Sequence, residues 1–126
     1  MGLEKKIVNL VEIRASQING CAVCLHMHVE DALKSGESPA RLHMLGAWRE
    51  SSLFSERERA ALGWTEALTR LAETRAPDAD YAAIAAQFSE KEQIMLTLMI
   101  GAINSFNKLN VGFRVPATQV GERKAA

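Results

Sequence analysis

Cysteine is scarce here, with two in 126 residues, at positions 21 and 24. A secreted disulfide scaffold of this size would carry several widely spread pairs, so the scarcity argues against one. A bridge across two intervening residues is also a poor staple, because the constraint a disulfide places on the unfolded chain grows with the loop it closes. Net charge is lacking too: 15 Lys plus Arg balance 15 Asp plus Glu, and no excess of one sign draws the chain to nucleic acid or an acidic membrane. No apolar run approaches the roughly 18 residues of a membrane helix, and the N-terminus lacks the basic-then-apolar order of a signal peptide. These absences predict a cytoplasmic protein with no nucleic-acid or membrane partner. There is no internal repeat, low-complexity tract, linker or strand alternation, and the length suits one domain.

What is present is helical periodicity. Ile7, Val8, Val11, Ala15 and Ile18 recur at three- and four-residue steps and predict a first helix over 3–18, broken by Asn19-Gly20. A second helix is expected from Cys21 to Lys34, closed by Ser35-Gly36. Ser38-Pro39 reads as a cap and first-turn proline opening a short helix to Ala47, with a turn over 48–53. Ser55-Glu56-Arg57-Glu58 and Ser89-Glu90-Lys91-Glu92 are capping-box patterns, each opening a helix, with a shorter helical stretch between them at 81–88 after the Ala76-Pro77 break. The helix after Ser89 is apolar nearly all round, from Ile94 to Ile103, and is expected at the centre of the fold or between subunits. The whole reads as a compact all-α domain over 1–115, followed by a polar tail over 116–126.

Chemistry concentrates where the first two helices meet. At about 100° per residue, Cys21, Cys24 and His28 fall within an arc of roughly 60°, and His26 points away. The first turn of a helix presents unpaired N–H groups and the positive end of the dipole, which favour thiolate over thiol. His28, one turn beyond Cys24, is placed as its proton acceptor. The same pair has a blander reading as half of a zinc site, but zinc takes four ligands and neither His26 nor His43 is placed to complete the set. A zinc site is therefore not the expected reading. His26 reads as a solvated surface residue, His43 as the end of a short helix, Met95 and Met99 as packing, and Trp48 and Trp64 as core or interface.

The segment Arg14-Ala-Ser-Gln-Ile-Asn-Gly-Cys21-Ala-Val-Cys24-Leu-His-Met-His28 resembles the alkyl hydroperoxidase D family of the carboxymuconolactone decarboxylase superfamily. The likeness continues through the helix at 55–71 into Asn104-Ser-Phe-Asn-Lys-Leu-Asn110 and Phe113-Arg-Val-Pro116. It implies an all-helical subunit of a trimer or hexamer and a peroxidase cycle without metal, flavin or haem. By the same resemblance Cys24 forms the sulfenic acid, Cys21 donates a proton and then closes the Cys21–Cys24 disulfide, and His28 relays protons. The reductant it implies is a dithiol protein of lipoyl or thioredoxin type. Family members often carry one more helix ahead of this point, so Met1-Gly2 reads as an internal or truncated start.

Two positions depart from the pattern. Where the prototype of the family has a glutamate twelve residues before the first cysteine this chain has Asn9, which accepts no proton, and Val23 stands in place of the prototype's histidine between the cysteines. Glu12, one turn further along and about 60° away in direction, is the candidate substitute. Beside the peroxidase stand two other readings: a non-catalytic oligomeric module that senses redox state or binds a ligand, and a decarboxylase-like lyase, which leaves the cysteine pair unexplained.

Overall fold

The computed structural model describes residues 2–117 of the chain, so most of the tail expected over 116–126 lies outside the described residues. The elements in order are α1 (Lys5–Asn19), α2 (Ala22–Lys34), α3 (Pro39–Met44), a 3-10 helix (Leu45–Glu50), α4 (Glu56–Thr69), α5 (Leu71–Thr74), α6 (Asp78–Gln87) and α7 (Glu90–Gly112). Among the described residues there is no strand, and none of their helices is long and apolar enough to cross a membrane.

The helix starts follow from local chemistry. Ser55 and Ser89 each accept from the backbone N–H three residues on, and Glu58 and Glu92 reach back to the serine N–H, so both capping boxes form. The Ser38 hydroxyl caps α3 in the same way, with Pro39 in its first turn. The helix expected to run to Ala47 and the turn expected over 48–53 differ from expectation, since α3 ends at Met44. Leu45–Glu50 continues as a 3-10 helix, which buries Leu45 and Trp48, the latter in the core as its type suggests.

The α1–α2 connection positions the site. Gly20 takes a left-handed conformation, φ 68°, which an L side chain would strain. Its N–H bonds Gln17 O, the Cys21 N–H bonds Ser16 O at 3.0 Å, and the chain reverses within two residues. α2 therefore runs back along α1.

The central helix is α1, not α7. α1 lies against α2, α4 and α7 and buries residues toward both core clusters. Ile7 and Val11 pack with Ala61, Ile84, Leu96 and Ile100, while Leu10 and Ile13 pack with Leu45, Trp48, Phe54 and Leu62. Of the two places expected for α7, the centre of the fold is thus corrected. Its buried stripe is only Leu96, Ile100, Ile103 and Asn107, whereas Ile94, Leu98 and Phe106 are more than half exposed. The physical reason is that an all-apolar helix demands cover on every side, and a single small domain has one face to offer it.

Candidate active site

Cys21 and Cys24 are joined in a disulfide at the start of α2. Cys21 is the cap of that helix, with extended backbone, and its Sγ accepts the Cys24 N–H at 3.3 Å. Because Cys21 does not have helical geometry, the arc drawn from helical rotation does not describe it. Its sulfur turns back onto the helix terminus, and only Cys24 of the pair opens on the neighbouring cavity. One of the backbone donors expected to favour thiolate, the Cys24 N–H, is therefore taken by Cys21 Sγ.

The cavity has a volume of about 220 Å³ and lies between the α1–α2 hairpin and α7. One wall carries Cys24, His28 and Glu12, and the rest is apolar, from Met27, Met99, Ile103 and Phe106. Met27 and Phe106 are exposed and form its rim. Asn110 enters from the last turns of α7, its Nδ2 donating to Cys24 Sγ at 3.4 Å. A larger cavity of about 360 Å³ lies beside Trp48, Arg49, Arg59 and Asp80, but no cysteine or histidine lines it. Cys24, His28 and Glu12 come together at the smaller one.

His28 Nδ1 lies 3.3 Å from Glu12 Oε1, with both side chains largely buried. The hydrogen bond that His28 donates to Glu12 raises the His28 pKa above its ordinary value, against a burial effect that lowers it, and the charges of Glu12 and Asp31 add to the rise. Imidazolium is thus favoured in the same wall as Cys24. A testable consequence is that Glu12→Gln lowers the His28 pKa, because burial then acts without its opposing carboxylate. The sign for stability follows. The His28–Glu12 pair stabilises fully below the unfolded histidine pKa of about 6.5 and loses that contribution as pH rises through the raised folded value. Glu12→Gln should cost about 0.5–1 kcal/mol at pH 5 and less at pH 8, for a pair that is not fully dry. Histidine titration by NMR with thermal melts at the two pH values checks this, and an unmoved His28 titration would refute the coupling.

The departures from the family pattern take on geometric meaning. Asn9 is buried and lines a separate small cavity with Lys5, Ser35 and Glu37, at the end of the hairpin far from the disulfide. Since α1 and α2 run antiparallel after the turn at Gly20, Glu12 is the acid that comes level with His28. His26 corrects its expectation as a solvated residue. Its Nε2 is buried without a hydrogen-bond partner among the described residues, because that side of α2 is covered. His43 is exposed near the end of α3, and among the described residues no three His, Cys, Asp or Glu side chains gather as a metal site requires. Asn110 is the residue at this site that the motif reading did not single out. Its signal was the three-residue spacing of Asn104, Asn107 and Asn110, which lines amides along one face of an otherwise apolar helix.

Comparison with known proteins gives consistent findings. The model of the carboxymuconolactone decarboxylase family matches residues 1–67. The uncharacterized protein YdfG of Bacillus subtilis is 40% identical over 102 residues, 81% of this chain and 69% of its own. A solved structure from Agrobacterium tumefaciens, of a protein of unknown function considered a candidate AhpD antioxidant defence protein, is 44% identical with a TM-score of 0.91, covering 93% of this chain and 80% of the other. The debrominase Bmp8 superposes with a TM-score of 0.85 at 17% identity, over 94% of this chain and 63% of its own, a likeness of fold alone.

Proposed function

The chain belongs to the carboxymuconolactone decarboxylase family, in its alkyl hydroperoxidase D-like branch, and from that premise we propose that it is a thiol-dependent peroxidase with an antioxidant role. One observation carries the reading. Cys24, already paired with a second thiol, faces a cavity whose same wall holds a histidine with a raised pKa and its carboxylate partner.

In the cycle the Cys24 thiolate attacks the terminal oxygen of a hydroperoxide. An S–O bond forms as the O–O bond breaks, His28 gives its proton to the leaving alkoxide, and an alcohol departs. Cys24 is now a sulfenic acid, oxidised by two electrons. The Cys21 thiol gives up its proton as it attacks the Cys24 sulfur. The S–S bond forms, the S–O bond breaks, and the departing hydroxide takes up that proton to leave as water. A dithiol of lipoyl or thioredoxin type then returns two electrons and two protons by exchange and is itself oxidised to a disulfide. Glu12 holds the imidazole in orientation and favours its charged form through the step.

The test is rapid mixing of the reduced protein with cumene hydroperoxide and with hydrogen peroxide, quenching, and mass spectrometry at Cys21 and Cys24. The expected result is an intramolecular disulfide formed far faster than a free thiol oxidises, and repeated turnover once a dithiol is added. Oxidation at the rate of a free thiol would overturn the reading and leave a redox-sensing module in its place.

A further inference from the structure

Helix N-termini commonly stabilise thiolates through their free N–H groups, yet here the Cys24 N–H of α2 goes to Cys21 Sγ. A different group serves Cys24. The Asn110 Nδ2 is 3.4 Å from Cys24 Sγ and also donates to Phe106 O at 3.0 Å. A carbonyl can only accept, so the Phe106 oxygen dictates which end of the Asn110 amide faces it. With one amide hydrogen fixed there, the other is free for the sulfur.

Asn110 is also held in register with the hairpin. Asn104 and Asn107 both accept from Asn19 Nδ2 at 2.9 Å, and Asn107 donates to Ser16 Oγ at 3.1 Å. Ser16 O in turn accepts the Cys21 N–H. The amide face of α7 is thereby tied to the turn that carries both cysteines, and Asn110 is the member of that face that reaches a reacting atom.

We propose that Asn110 is a catalytic residue, donating an amide hydrogen to the Cys24 thiolate that attacks the peroxide. A disulfide sulfur is a weak acceptor and a thiolate a strong one, so the bond strengthens on reduction, when it is needed. Its effect is to favour thiolate over thiol and so to lower the Cys24 pKa. The proposal rests on Cys24 as the peroxide-attacking thiol.

The experiment uses Cys21→Ser protein, in which Cys24 is the one remaining cysteine. The rate of alkylation by iodoacetamide against pH then reports its pKa alone. Asn110→Ala should raise that pKa by about one unit, and Asn110→Asp by more, since an ionised carboxylate cannot donate and repels the thiolate. A change that only loosened packing would lower the melting temperature of both variants without ordering their thiol pKa values in this way. In protein with both cysteines, Asn110→Ala should slow reaction with cumene hydroperoxide roughly threefold below both pKa values. Tenfold less thiolate is there partly offset by its greater nucleophilicity, and above both values the variant should be no slower. Equal thiol pKa values in the parent, Asn110→Ala and Asn110→Asp proteins would overturn the hydrogen bond. An ordered pKa series alongside a parent protein that reacts with peroxide no faster than a free thiol would keep the bond and overturn the catalytic role.

Discussion

Cys24→Ser should reduce peroxide-driven consumption of a dithiol by at least about a thousandfold, since enzymatic accelerations begin near a millionfold over background. A serine hydroxyl is a poor nucleophile toward peroxide oxygen without a strong base to activate it. Cys21 cannot take over, because its sulfur caps α2 and does not line the cavity. Cys21→Ser should behave differently. That variant should still reduce one equivalent of hydroperoxide and then stop as a sulfenic acid at Cys24, which dimedone traps for mass spectrometry. The contrast between one turnover and none separates the attacking from the resolving thiol, which loss of steady-state activity alone does not. Full turnover in Cys24→Ser would remove the assignment, and a sulfenic acid trapped at Cys21 instead would reverse the two roles.

The parts of this architecture that were legible in the amino-acid sequence are those decided over three or four residues. Both capping boxes, the Pro39 helix start and the Asn19-Gly20 break depend on side chains bonding to the adjacent turn, so spacing alone reveals them. His28 one turn beyond Cys24 was legible for the same reason. Glu12 was half legible: its identity as an acid near the site could be read, but its partner depended on the reversal at Gly20, which sets what lies opposite what along α1 and α2. The helix that occupies the centre was not legible. α7 has the more uniformly apolar composition, yet α1 is enclosed, because enclosure is decided by how the helices stack and not by the hydropathy of any one of them. Asn110 stayed hidden because its meaning lies 86 residues away, at Cys24. Within α7 it is only a polar residue late in a helix.

Long-range pairing of this kind also predicts the largest stability effect. Arg41 donates to Glu37 and Glu58 through both sides of its guanidinium and to Leu53 O, and it stacks over Phe54. The two carboxylate residues are 8% and 6% exposed. Arg41→Ala would leave two buried carboxylates without the guanidinium that bonds them, and breaking a buried pair from one side costs about 3–5 kcal/mol. The lower end of that range is the expectation at pH 7, because the Arg41 side chain keeps 14% exposure. Out of a total stability of about 5–15 kcal/mol this is a large fraction, equivalent to roughly 10 °C or more in melting temperature for a domain of this size. Arg57 provides the internal control. It too bridges two carboxylates, but Glu4 is half exposed and Arg57 itself is 27% exposed, so Arg57→Ala should cost only about 1 kcal/mol. The pH dependence has a definite sign. Burial raises the Glu58 pKa, while the bonds from Arg41 and the Ser55 N–H together bring it below its ordinary value. A depressed carboxylate stabilises above its unfolded pKa of about 4.3 and loses that contribution as pH falls through the folded value. The deficit of Arg41→Ala should therefore shrink between pH 7 and pH 3, and Glu58→Gln added to Arg41→Ala should recover part of it at pH 7. Urea denaturation at the two pH values measures both effects. A loss below 1 kcal/mol at pH 7 would mean that water reaches the orphaned carboxylates, so that this cluster contributes no more than the exposed one at Arg57.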